Sequence, residues 1–167
     1  MKTLIEHRKA LIPNFKVEEL VPKEVLNDLG DLAILCMDVK LLITAQALRN
    51  NLGKAMTINN YLLAKKEGFS QRGLRTPTSP YFKKTSLHSS GQAIDFTAND
   101  MTADEVRLHI LTNLDKYPYL KGLETGCSWV HVDVRESKDL VIFPEPNTKK
   151  HANVEEYLAW LKKELTK

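Results

Sequence analysis

Ala93-Ile94-Asp95-Phe96-Thr97 and Trp129-Val130-His131-Val132-Asp133-Val134 decide how this chain folds. Both stretches alternate with the two-residue period of a β-strand, whose successive side chains point to opposite faces. In the first, Ile94 and Phe96 share one face, while Ala93, Asp95 and Thr97 share the other. In the second, Val130, Val132 and Val134 face one way, and Trp129, His131 and Asp133 the other. The apolar faces belong against a core. Asp95 and His131 therefore project from the opposite side of the sheet, where adjacent strands would bring them to one ion.

His88 stands seven residues before Asp95, with Gly91 between them to allow a sharp chain reversal. Two imidazoles and one carboxylate make a usual catalytic zinc set, because three protein ligands leave the fourth position for water. The spacing thus makes His88, Asp95 and His131 candidate ligands of one Zn2+, beside the plainer reading of histidines that are packed or lie at the surface. His7, His109 and His151 have no partner at ligand spacing and read as structural or solvated.

Working outward, residues 1–16 read as an arm or edge element, and Val17–Leu29 as a short helix closed by Gly30. Leu32, Leu35, Cys36, Val39, Leu42, Ile43 and Ala47 recur at helical spacing, which predicts one helix from Asp31 to Gly53. Ala55–Leu62 alternates as a further strand. The basic Gly-, Pro- and Ser-rich segment Lys65–Thr85 predicts a long loop of the kind that is often functional. Thr102 and Glu105 form a capping box opening a helix to about Asp115, and Asn153 caps a last helix with Val154, Tyr157, Leu158, Leu161 and Leu165 on one face. Helices at both ends with strands between predict an α+β fold, a small mainly antiparallel sheet with helices packed against it. The expected organisation is a single domain over residues 1–167: a helical part to about 53, a metal-site core over about 54–136 and a C-terminal helix over about 153–166.

Ser86-Leu87-His88-Ser89-Ser90-Gly91-Gln92-Ala93-Ile94-Asp95, followed by His131-Val132-Asp133, resembles the M15 family of zinc peptidases. That family includes D-alanyl-D-alanine carboxypeptidases and phage endolysins that cut peptidoglycan stem peptides. The first block also resembles the zinc-binding domain of hedgehog signalling proteins. The resemblance spans roughly residues 40–136. It implies a hedgehog/D-Ala-D-Ala peptidase-like fold, His88, Asp95 and His131 as zinc ligands, and hydrolysis of a stem-peptide bond involving D-amino acids, as carboxypeptidase or endopeptidase. Gln71-Arg72-Gly73-Leu74-Arg75-Thr76-Pro77 is similar to the family's Gly-Tyr-Arg-Ser-Pro element, with Leu74 in place of Tyr. This implies Arg75 as the substrate anchor, a role suited to a guanidinium that forks onto a carboxylate. A short span from Arg75 to His88 leaves Arg72 as a competitor.

Such a site also needs a carboxylate to move a proton from water to the leaving amine. Many family members carry an acid three residues before the last ligand; here that position is Ser128. Glu124, seven residues before His131 and ahead of the Thr125-Gly126-Cys127 turn, is then the expected catalytic base. Asp133 is the rival, favoured instead as a partner orienting a ligand or Arg135. Trp129 either walls the cleft or covers the sheet.

Composition narrows the remaining classes. With 43% hydrophobic and 27% charged residues among 167, the chain is neither disordered nor collagen-like. Cys36 and Cys127 are too few for a disulfide framework. No run approaches the ~20 apolar residues that cross a bilayer, so no membrane partner is expected. Lys plus Arg exceed Asp plus Glu by only three (24 against 21), which does not call for nucleic acid. The expected protein is a monomer whose partner is a peptidoglycan stem peptide. Charges interrupt the N-terminal segment before a signal-like apolar run forms. It is thus expected to be made in the cytoplasm and to act on the cell wall after release, as a phage endolysin is, or after export. Two rivals stand beside this reading: a zinc-containing binding module without turnover, and a basic binding protein using Phe69, Tyr81 and Phe82 of the Lys65–Lys84 loop.

Overall fold

Five strands in the order β1-β2-β4-β3-β5 form the sheet of a computed structural model that describes residues 2–64 and 68–166. In chain order the elements are α1 (Lys2–Ala10), α2 (Lys23–Leu29), α3 (Val39–Leu52), β1 (Met56–Thr57), β2 (Ala93–Ala98), α4 (Ala103–Thr112), β3 (Gly122–Thr125), β4 (Val130–Asp133), β5 (Val141–Pro144) and α5 (Val154–Glu164). All pairings are antiparallel except β3 with β5. The architecture is α+β, as expected.

The apolar side of the sheet is the core. Ile94, Phe96, Val130 and Val132 are at most 1% exposed, and they join Leu41, Leu42, Ala45 and Leu48 of α3, Val106 and Ile110 of α4, and Tyr157 and Leu161 of α5 in one cluster. Each such aliphatic or aromatic side chain contributes roughly 1.5–3 kcal/mol by leaving water. The predicted caps hold: Thr102 and Glu105 bond each other's backbone at the start of α4, and the Asn153 side chain accepts from the Glu156 N–H.

Several local expectations are corrected. Residues 2–10 form α1 rather than an edge element. The Val17–Leu29 helix is split, because Pro22 sits extended as the N-cap of α2. The single helix from Asp31 to Gly53 is also interrupted. A 3-10 stretch over Gly30–Cys36 ends, Asp38 turns extended, and its carboxylate caps α3 by accepting from the Lys40 N–H. The strand expected over Ala55–Leu62 shrinks to β1, since Asn59 and Asn60 turn to bracing loops: the Asn59 amide oxygen accepts from the Arg72 N–H and that of Asn60 from the Phe69 N–H. Residues 68–85 are loop as expected, and the Lys65–Glu67 part of that prediction lies outside the described residues. β3 and β5 have no counterpart in the sequence reading.

Candidate metal centre

β2 and β4 pair antiparallel with Asp95 directly opposite His131, so strand alternation alone puts both on the polar side of the sheet. His88 arrives from a 3-10 turn over Leu87–Ser90 that Gly91 closes in the left-handed region (φ 67°). A Cβ at Gly91 would strike the Cys36 carbonyl, so glycine is needed there for space as well as for conformation. The Gly91 carbonyl in turn accepts from the Asp38 N–H at 2.9 Å, tying the turn to the base of α3.

Three side chains converge. His88 Nε2 lies 3.2 Å from His131 Nδ1 and 3.3 Å from Asp95 Oδ1, and His131 Nδ1 lies 2.7 Å from the same oxygen. The three ligand atoms fall within 4.8 Å of one another, a group that could hold a metal ion. Their outer partners fit this use. His88 Nδ1–H donates to the Gly73 carbonyl at 2.8 Å, which leaves Nε2 with its lone pair turned inward. His131 Nε2–H donates to Asp133 Oδ2 at 3.3 Å, leaving Nδ1 to face the group. The second oxygen of Asp95 takes a 3.3 Å ion pair from Arg75 Nη2. Each ligand is thus held from behind as metal ligands commonly are.

The titration behaviour follows from the same contacts. Burial favours the neutral form of Asp95, but hydrogen bonds and the charges of His131 and His88 outweigh it and hold its carboxyl far below the usual carboxylate range. Burial likewise opposes the cation of His131, yet Asp133 and Asp95 on either side carry it up to about 9. Asp133, fully buried, is lowered to about 2 against its desolvation by Arg135, which grips it through Nε at 2.8 Å and Nη2 at 2.5 Å, and by His131. Asp133 therefore serves as the orienting partner of His131 and Arg135. Its carboxylate lies over Gly122, where any Cβ would collide with it.

Glu124 lies on β3, the other neighbour of β4. Gly122 pairs with Asp133 and Leu123 with Val132, so alternation sends Glu124 to the same side as Gly122, the side of the ligands. Glu124 is half-buried, and desolvation raises its pKa, with the His131 cation opposing and the Asp95 charge adding to the rise. In the parallel β3–β5 pair Glu124 stands opposite Phe143, whose ring meets His131 edge-on at 5.6 Å between centroids. Arg135 stacks on the same ring at 4.6 Å. Phe143, Arg135, Thr85, Ser86 and Leu87 line a cleft of about 340 Å³ that opens beside His131.

Arg72 and Arg75 both flank Asp95. The backbone between them is woven into the site: the Arg75 N–H donates to the His88 carbonyl at 3.1 Å, and the Asp95 N–H to the Arg72 carbonyl at 2.7 Å. Arg75 also donates through Nε to the Gln71 carbonyl at 3.2 Å. The Arg72 guanidinium covers the Phe69 ring at 3.4 Å, and its buried Nη1 has no hydrogen-bond partner among the described residues. His109 bonds the Tyr117 hydroxyl at 3.2 Å, and His151 packs on Tyr157 and Trp160, both away from the ligands. No family model, curated protein or solved structure matches the chain. No helix of the described residues is long and apolar enough to cross a membrane.

Proposed function

We propose that the protein is a zinc-dependent peptidoglycan peptidase that hydrolyses a stem-peptide bond involving a D-amino acid, acting as a monomer on the cell wall. The observation that carries this reading is the convergence of two imidazole nitrogens and one carboxylate oxygen beside an open cleft and a half-buried acid. A tetrahedral zinc ion about 2.0–2.1 Å from each ligand atom implies separations of about 3.3–3.4 Å between them. Two of the three separations here, 3.2 and 3.3 Å, are within about 0.2 Å of that value, and the 2.7 Å His131–Asp95 contact is the one that must open substantially. The preference for peptidoglycan among peptides rests on the resemblance of the Ser86–Asp95 and His131–Asp133 blocks to M15 peptidases.

Bound zinc supplies polarisation of the scissile carbonyl and acidification of the attacking water. Glu124 takes the proton from that water and returns it to the leaving amine, a transfer helped by a carboxyl whose pKa burial has moved upward. Arg75, held on Asp95 through Nη2, offers its remaining nitrogen to a substrate carboxylate or carbonyl. Phe143 and Arg135 form the far wall of the cleft. The test is incubation with purified peptidoglycan, with and without a chelator, and mass analysis of the fragments. New amino termini that vanish with the chelator support the reading and locate the bond. Intact peptidoglycan alongside stoichiometric zinc points instead to a binding module of the same fold.

A further inference from the structure

Arg107 is the largest of the fully buried side chains, 1% exposed, and no part of the chemistry above uses it. It rises from α4 into the turn between β3 and β4. Its Nε donates to the Glu124 carbonyl at 2.9 Å, and its Nη2 donates to the carbonyls of Cys127 at 2.9 Å and Trp129 at 2.6 Å. Nη2 also reaches Cys127 Sγ at 3.0 Å, and that thiol donates to the Trp129 carbonyl and, at 3.9 Å, toward Glu124 Oε2. Nη1 is fixed by Asp104 at 2.8 Å, and Asp104 accepts as well from the Tyr157 hydroxyl of α5 at 3.4 Å. One buried cation thus gathers three carbonyls of a turn that begins at Glu124 and ends two residues before His131. Burying a guanidinium is costly unless its donors are met, and here they are met by that turn together with Asp104.

We infer that Arg107 is a positioning residue that sets the Glu124 carboxylate at a fixed place relative to His131. The inference rests on Glu124 being the base. Lysine keeps the charge but cannot reach three carbonyls and a carboxylate at once. The turn would then loosen, and misplacement of a catalytic group by about 1 Å costs up to ~10²-fold in rate.

The experiment compares wild type, Arg107→Lys and Glu124→Gln in three readouts: zinc content, hydrogen exchange of the backbone amides over residues 124–130, and kcat and KM on a soluble muropeptide. For Arg107→Lys we expect full zinc content, faster exchange confined to that turn, and a kcat about 10- to 100-fold lower with KM little changed. Wild-type exchange and kcat in Arg107→Lys, beside an inactive Glu124→Gln, overturn the inference and leave the base assignment standing. An active Glu124→Gln, or a wild type that cleaves nothing, overturns both. Should Arg107→Lys not fold, Cys127→Ala and Cys127→Ser decide. Removing the thiol is expected to lower kcat several-fold, with serine restoring it, and equal wild-type rates for both overturn the inference.

Discussion

The β2–β4 pair and the β3–β5 pair make the two halves of the proposed site by different means. β2 and β4 bring Asp95 and His131 face to face through regular antiparallel register over a buried apolar face. β3 and β5 run parallel, and β5 is a sheet edge whose Val141 is 37% exposed. They bring Glu124 and Phe143 to the same side of the sheet. The half that can hold a metal is thus regularly paired and backed by a buried face, whereas the half assigned to base and substrate wall lies at the sheet edge and nearer solvent. A ligand set tolerates little displacement. A cleft wall can vary, and on this reading substrate choice resides there.

The sharpest way to break the first half is His131→Ala, which we expect to abolish zinc binding, read as metal per protein after dialysis. Glu124→Gln should separate the halves: zinc content stays, while cleavage of a soluble muropeptide falls by about 10²–10⁴-fold. Asp133→Asn removes the negative charge behind His131 and leaves one accepting oxygen where His131 and Arg135 now share two, and zinc affinity measured by chelator competition should drop about 10- to 100-fold. The variant is also expected to be less stable, since the buried Arg135 pair is lost.

The pH dependence probes the first half in another way. Zinc needs a neutral His131, so its affinity should fall by up to about tenfold per pH unit below 9. The metal-free protein behaves oppositely. A histidine raised from 6.5 to about 9 lends stability that is complete below pH 6.5 and disappears as pH rises through 9. The gap in melting temperature between zinc-loaded and metal-free protein should therefore widen from pH 6.5 to 9, and a constant gap would contradict the assignment. The smallest effect belongs to the second half: Phe143→Ala should raise KM a few-fold, by loss of ring area in the cleft, with zinc content unchanged.

The legibility of the two halves differs for a physical reason. Val130, Val132, Ile94 and Phe96 alternate with polar residues because one side of their strands is core and the other is not, so face and partner could be read from the residues. Gly122-Leu123-Glu124-Thr125 has only Leu123 to mark a buried side, and its glycine is there for the Asp133 carboxylate, a contact no local pattern announces. In β5, Val141-Ile142-Phe143-Pro144 shows no alternation and sits at an edge. Glu124 as the expected base rests on the need for a proton-transfer carboxylate, on Ser128 standing where M15 relatives carry an acid, and on the turn that follows it. Arg107 carries little distinguishing signal in the sequence, because its place in α4 resembles that of any charged residue on a helix. A cation three residues after Asp104 and beside Val106 was the one hint. The break at Asp38 was hidden because apolar spacing continues across it, while the Gly91 carbonyl that claims its N–H lies 53 residues away.

The weave of residues 72–75 bears on how far the metal-site region can stand alone. Leu74 donates to the Leu20 carbonyl at 2.8 Å, Asn59 donates to the carbonyls of Glu19 and Val21, and Asp38 holds the turn that carries His88. Cutting the chain near residue 54 would remove the Glu19, Leu20 and Val21 carbonyls that anchor Asn59 and Leu74, and the Asp38 N–H that anchors the His88 turn. Grafting the segment onto a foreign scaffold would meet the same difficulty: transplanting the cluster means carrying its helical foundation with it.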